Sequence, residues 1–196
     1  MLTNGKTPRE NDTLFTTTMA SKKVIEDAAS EVYAVLLPLL RKAVAILEDN
    51  INWDGFNTPP SDMATVMDSI TAQEQKLKPI NADLAEAWRI VEDCQNEFKR
   101  CGGWSRFWQE VSPIGHVHAS DHCSACSETT EYVLLSEYSG SADARVVTLA
   151  GSSTCTICFH DAPADMITAP SRLENPVKRK ARMIAEAKEA RKNESQ

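Results

Sequence analysis

Aromatic residues are scarce in this 196-residue chain, at 6% of the total. With a mean hydropathy of −0.35, that scarcity argues against one large core. Helices packed by narrow apolar stripes, beside a small metal-stapled unit, fit the composition better. Long hydrophobic runs are missing too: no stretch of about 18 uncharged apolar residues occurs, which excludes a helical membrane span. The richest apolar stretch, Val32 to Leu40, is interrupted by Pro38 and runs into Arg41-Lys42 without a small-residue cleavage site. We therefore expect no secretory signal. Several catalytic signatures are lacking as well. There is no Gly-rich phosphate loop, no Gly-x-Ser-x-Gly elbow, no His-Glu-x-x-His, and no His-x-Glu paired with Pro-Cys-x-x-Cys. Positive charge is in deficit, with 21 Lys and Arg against 28 Asp and Glu, for a net charge of −7. An acidic body repels phosphate backbones and does not suit a general nucleic-acid coat.

What the chain does have is a pair of Cys-x-x-Cys motifs, Cys123-Ser124-Ala125-Cys126 and Cys155-Thr156-Ile157-Cys158. Two intervening residues let both thiolates of a knuckle face one ion, and two knuckles complete the tetrahedral shell of structural Zn²⁺. The expected ligands are Cys123, Cys126, Cys155 and Cys158. Histidines crowd the same region, and His118, His122 or His160 could replace one cysteine in a Cys₃His site. His116 and His118 could instead support the thiolates as hydrogen-bond donors. Cys94 and Cys101 lie outside the motifs and read as buried thiols. Free thiols and a thiolate-bound ion fit a reducing cytoplasm.

The remainder divides into segments. Residues 1–20 have few apolar positions and read as a disordered leader. From a cap at Ser21, apolar residues Ile25, Ala28, Val32, Val35, Leu36, Leu39, Ala43, Ile46 and Leu47 recur at helical steps, with a kink or break expected near Pro38. A connector follows at Asn52 to Pro60. Ser61 or Asp62 then caps a second helical region reaching Arg100, which Pro79 should kink or divide. Its later stripe, through Leu77, Leu84, Trp88, Val91 and Phe98, has a heptad-like rhythm. Residues 21–101 should form an antiparallel helical hairpin, which either packs on itself or completes its core against another copy or a host protein.

Gly102-Gly103 closes the helical region and opens the zinc-binding module, residues 102–170. His116-Val117-His118 suits a short strand with both imidazoles on one face. Thr130 to Leu135 suits another strand, and Ala142 to Leu149 a strand or short helix. The tail, residues 171–196, carries eight Lys and Arg against four Glu. That is a net +4 within a chain of net −7, which leaves −11 for the rest. The mixed signs suit a solvated helix.

Gly115-His116-Val117-His118, Cys123-Ser124-Ala125-Cys126 with Thr129-Thr130, Ser139-Gly140, and Cys155-Thr156-Ile157-Cys158-Phe159 followed by Ala162-Pro163 carry a resemblance. Over roughly residues 103–164 the chain resembles a family of small zinc-binding proteins of actinobacteria and their phages. It departs from that family at Val133, where a tryptophan is usual, and at His160, where a proline is usual. The resemblance implies a phage or actinobacterial cytoplasm and no established activity.

The expected architecture is α+β: a helical hairpin, a zinc-stapled module and a basic helical tail. The expected function is a non-enzymatic, zinc-binding protein-interaction module that forms homo-oligomers through its helices. Two alternatives stand beside it. One is a nucleic-acid-binding zinc module using the basic tail, with Trp104, Phe107 or Trp108 stacking on bases. The other is a metal-dependent nuclease or hydrolase using His116, His118 and His122, with Asp121 beside them.

Overall fold

The computed structural model describes residues 6–49 and 61–194. The expected connector lies outside the described residues. Among the described residues the fold is α+β, with two long α-helices, a small three-stranded sheet and three further α-helices. The chain divides into two compact units. One is Lys22–Trp88, and the other joins Met1–Ser21 to Arg89–Gln196.

Helix α1 spans Pro8–Asp49 and α2 spans Ser61–Arg100. In the Lys22–Trp88 unit, Leu36 and Ala43 of α1 bury against Met63, Val66, Ile70 and Leu77 of α2, with Val32, Leu39 and Ile46 alongside. At the other end of this unit, Lys22 sets its ammonium 4.3 Å over the Trp88 ring. Early α1 thus meets late α2 and late α1 meets early α2, the antiparallel hairpin that the stripes require. Both helices continue through their internal prolines. The expected break at Pro38 or Pro79 is absent, because a proline removes one donor whereas the packed seam on either side holds the turns in register.

The expected leader is the largest difference from the sequence reading. α1 begins at Pro8, not after Ser21. Its first turn is closed by Thr7 and Glu10: the Thr7 amide donates to Glu10 Oε2 at 2.7 Å and the Glu10 amide donates to Thr7 Oγ1 at 3.2 Å. This is a capping box. Asn11, Asp12, Phe15 and Thr16 are buried, and Asn11 Nδ2 donates to the Cys94 carbonyl at 3.1 Å. Arg106 and Trp104 both donate to Asp12. These partners lie far along the chain, so a polar segment that looks unstructured locally is folded by distant groups.

Gly102 and Gly103 end α2 with positive φ, and the Gly103 amide donates to the Phe98 carbonyl at 2.9 Å. The sheet follows. Strands β1 (Trp108–Glu110), β2 (Val117–His118) and β3 (Tyr132–Leu134) pair antiparallel in the order β2-β1-β3. Trp108 lies opposite both His118 and Leu134, and Glu110 lies opposite Tyr132. Cross-strand partners share a face, so Trp108, Glu110, His118, Tyr132 and Leu134 lie on one side and Gln109, Val117 and Val133 on the other.

Ala142 to Leu149, whose residues suit a strand or a short helix, falls on helix α3 (Asp143–Ala150). Its Val146, Val147 and Ala150 bury with Phe107, Val117, Leu135 and Phe159 to make the core of the module. Short α4 (Ala164–Thr168) packs Met166 and Ile167 onto that core. The tail is helix α5 (Pro176–Glu194), capped by Asn175 Oδ1, which accepts from the Val177 amide at 3.1 Å. Among the described residues, no helix is long and apolar enough to cross a membrane.

Candidate metal centre

The centre is assembled from β2 and the two knuckles. Val117 forms a parallel bridge with Thr154, and its carbonyl accepts from the Cys155 amide at 3.0 Å. That bond places the second knuckle beside His118, the next residue of β2. The knuckle turns back through the Phe159 amide, which donates to the Cys155 carbonyl at 3.0 Å, and Phe159 anchors it by stacking on Phe107. The first knuckle closes through the Cys126 amide, which donates to the Cys123 carbonyl at 3.0 Å. The Ala125 amide points at Cys123 Sγ, 3.4 Å away, a donor suited to a charged sulfur.

His118, Cys123, Cys155 and Cys158 each offer a ligand atom, and all four lie within 4.8 Å of one another. They could hold a metal ion. Cys123 Sγ and Cys155 Sγ are 3.8 Å apart and Cys158 Sγ is 3.7 Å from His118 Nδ1. Two sulfurs on a tetrahedral ion at about 2.3 Å each would be separated by about 3.8 Å, whereas a disulfide needs about 2.0 Å. All six cysteines are free. The donor set therefore fits a tetrahedral thiolate-imidazole ion, and its spacing is not that of a cross-link.

Three of the four expected cysteine ligands belong to this group, and His118 is its fourth member. Cys126 lies on the other side of the imidazole, its Sγ 3.7 Å from His118 Nε2, and forms an overlapping group with His118 and Glu110. The remaining histidines lie elsewhere. The His122 side chain is 90% exposed beside Asp121, and the His160 side chain is 76% exposed beside Asp161. His116 is half-buried, its ring centroid 6.5 Å from that of His118. His122 and His160 are thus turned to solvent, because each adjoins a cysteine-bearing turn whose apolar side is taken by other residues. The cluster of His116, His118 and His122 expected for hydrolysis does not converge.

Burial sets the protonation states. Desolvation lowers the pKa of His118, which favours the neutral imidazole that ligates metals. It pushes the Cys123 thiol up to about 12, with further upward contributions from hydrogen bonds to Cys158 and Cys155. Buried sulfurs this close cannot all ionise unless a cation compensates them. Tyr132 joins the centre with no motif of its own to mark it. Its ring lies 5.6 Å from His118, edge to face, and its hydroxyl is buried. Burial first, and the Cys126 sulfur second, push its pKa upward. The register that puts Tyr132 and Glu110 on the His118 face is a property of strand pairing and leaves no motif in the sequence.

Several of the residues considered for nucleic-acid contact are engaged within the chain. Trp104 donates to Asp12 Oδ2 at 2.8 Å and meets Phe98 edge to face. Phe107 is buried in the module core. On α5, Arg179 pairs with Glu137 at 2.6 Å, Lys180 with Glu131 at 2.5 Å, and Arg182 with Glu174 and Glu186 at 3.0 Å each. Cys94 is buried in the Phe15, Val91 and Leu134 cluster, and Cys101 is half-buried.

No protein-family model, curated protein or solved structure matches this chain.

Proposed function

We propose that the chain is a non-enzymatic protein-interaction module whose C-terminal part is organised by one structural Zn²⁺. His118, Cys123, Cys155 and Cys158 would hold the ion. The observation that carries this reading is the four-donor group, three of whose members are buried and whose spacing matches a closed tetrahedral shell with no position left for substrate or water. When bound, the ion would supply the charge that lets the thiolates form. The protein's own part is to hold the two knuckles against β2 through the Val117 carbonyl and to keep the imidazole neutral.

A protein partner is favoured over nucleic acid because three basic residues of α5, Arg179, Lys180 and Arg182, are drawn into pairs with Glu131, Glu137, Glu174 and Glu186. The free thiols suit a reducing cytoplasm, in keeping with the phage or actinobacterial resemblance. The test is elemental analysis of purified protein, followed by affinity capture with and without nuclease and with and without chelator. We expect about one Zn²⁺ per chain and nuclease-resistant capture that chelation weakens. Metal-free protein with an intact C-terminal fold would overturn the zinc assignment, and capture abolished by nuclease would overturn the choice of partner.

A further inference from the structure

Two residues of the stripe expected to drive self-association, on α2, are used inside the chain, while Trp88 of that stripe is 51% exposed. Leu77 is buried against α1 in the Lys22–Trp88 unit, and Val91 is buried with Phe15, Cys94 and Leu134 in the other unit. The exposed apolar face is instead on α1. Tyr33, Leu37, Leu40, Val44 and Leu47 are each between 41% and 52% exposed. Their steps are four, three, four and three residues. The buried seam of the same helix, Val32, Leu36, Leu39, Ala43 and Ile46, has identical steps one residue earlier. α1 therefore carries two parallel seams, of which α2 covers one. A seam with this rhythm accepts another helix by interdigitating side chains. Within the Lys22–Trp88 unit α2 exposes two large apolar residues, Met67 and Trp88, which lie 21 positions apart, and Lys22 sits over the Trp88 ring, so the continuous apolar face is the one on α1.

We propose that this second seam is a homodimer interface in which α1 pairs antiparallel with α1 of a second copy, and two hairpins form a four-helix bundle. The inference rests on the interaction-module reading and supplies its partner. Charge chooses the occupant and its direction. In heptad terms Leu37 and Val44 are a positions and Tyr33, Leu40 and Leu47 are d positions. Arg41 and Glu48, both exposed, then fall at successive e positions. An antiparallel pair brings e positions of the two copies together. In the register that sets Leu37 against Leu47 and Leu40 against Val44, Arg41 of each copy faces Glu48 of the other. Sliding by one heptad would set Arg41 against Arg41 or Glu48 against Glu48. A parallel pair would match e with g, and the g positions, Leu36 and Ala43, are apolar and already buried against α2. The face is thus self-complementary in one arrangement, as a two-fold interface must be.

The test is sedimentation of the zinc-loaded full chain at micromolar concentration, with zinc content and helicity measured on every variant. Wild type should show twice the 21.6 kDa of one chain. The double variant Leu40→Glu with Val44→Glu should be monomeric, with zinc and helicity unchanged because both positions face solvent in the single chain. Arg41→Glu should raise the dimer Kd about tenfold, since two ion pairs become two repulsions, and adding Glu48→Arg should restore wild-type association. A monomeric or higher-order wild type, or a dimer indifferent to the charge reversal and its rescue, would overturn the proposal. A dimer of protein that is metal-free as purified and keeps its C-terminal fold would leave it standing while removing the metal assignment.

Discussion

Arg106 Nη2 donates to Asp12 Oδ1 at 2.6 Å across 94 positions of sequence, and the Asp12 side chain is 0% exposed. The carboxylate also accepts from Arg106 Nε and Trp104 Nε1, while Arg106 Nη1 donates to Gln95 and the guanidinium lies 3.7 Å over the Phe98 ring. The start of α1, the end of α2 and the entry to the module meet at this one ion pair. Removing one partner leaves a buried charge uncompensated. Asp12→Ala should therefore cost about 3–5 kcal/mol, read from urea unfolding at neutral pH. A loss below about 1 kcal/mol would mean that water reaches the pair.

The ligand set can be resolved by comparing two variants. His118→Ala should lower zinc occupancy as Cys155→Ser does, whereas Cys126→Ser should retain about one ion per chain. Cobalt substitution gives an independent reading, since a three-sulfur, one-nitrogen site absorbs differently from a four-sulfur one. The opposite pattern, with zinc kept in His118→Ala and lost in Cys126→Ser, would assign the ion to the four cysteines. Tyr132 and His118 would then support the sulfurs from outside.

Acid should weaken the α2 end of the fold through Glu97. Its bonds from Arg100, at 2.8 and 2.7 Å, hold its carboxyl below the ordinary carboxylate range. In acid the unfolded chain takes up the proton before the folded one does, so stability rises with pH. The contribution is complete above the unfolded value of about 4.3 and is lost as pH falls through the lower folded value. Glu97→Gln should destabilise the protein at pH 7, with the difference from wild type vanishing in strong acid. Equal unfolding midpoints at pH 7 would show that the bonds to Arg100 add nothing.

Gly115 precedes the His116-Val117-His118 strand with φ +59°, and a Cβ there would lie 2.6 Å from Pro176 Cγ, at the start of α5. Gly115→Ala combines left-handed strain with overpacking, and about 2–4 kcal/mol should be lost. Thermal unfolding of the zinc-loaded protein measures this. Pro176→Ala in the same background should recover part of the loss by opening space, and no recovery would put the whole cost in the backbone.

The sequence by itself determined whatever depends on spacing along the chain. Apolar steps of three and four residues specify the faces of α1 and α2, because a helix repeats every 3.6 residues. Gly102-Gly103 stops α2, and each Cys-x-x-Cys turn presents its sulfurs locally. The α+β architecture follows from these signals. Tertiary structure alone decided what depends on groups brought together from afar. It recruited residues 8–20 into α1 through Asp12 and Asn11, whose partners are Arg106, Trp104 and the Cys94 carbonyl. It placed His118 among three thiols and turned His122 and His160 outward, because strand register and the Val117 to Cys155 bond set which donors converge. Among the described residues it also left one of two equivalent seams of α1 uncovered. Periodicity gives both seams the same rhythm, and a single neighbouring helix is wide enough to bury only one of them.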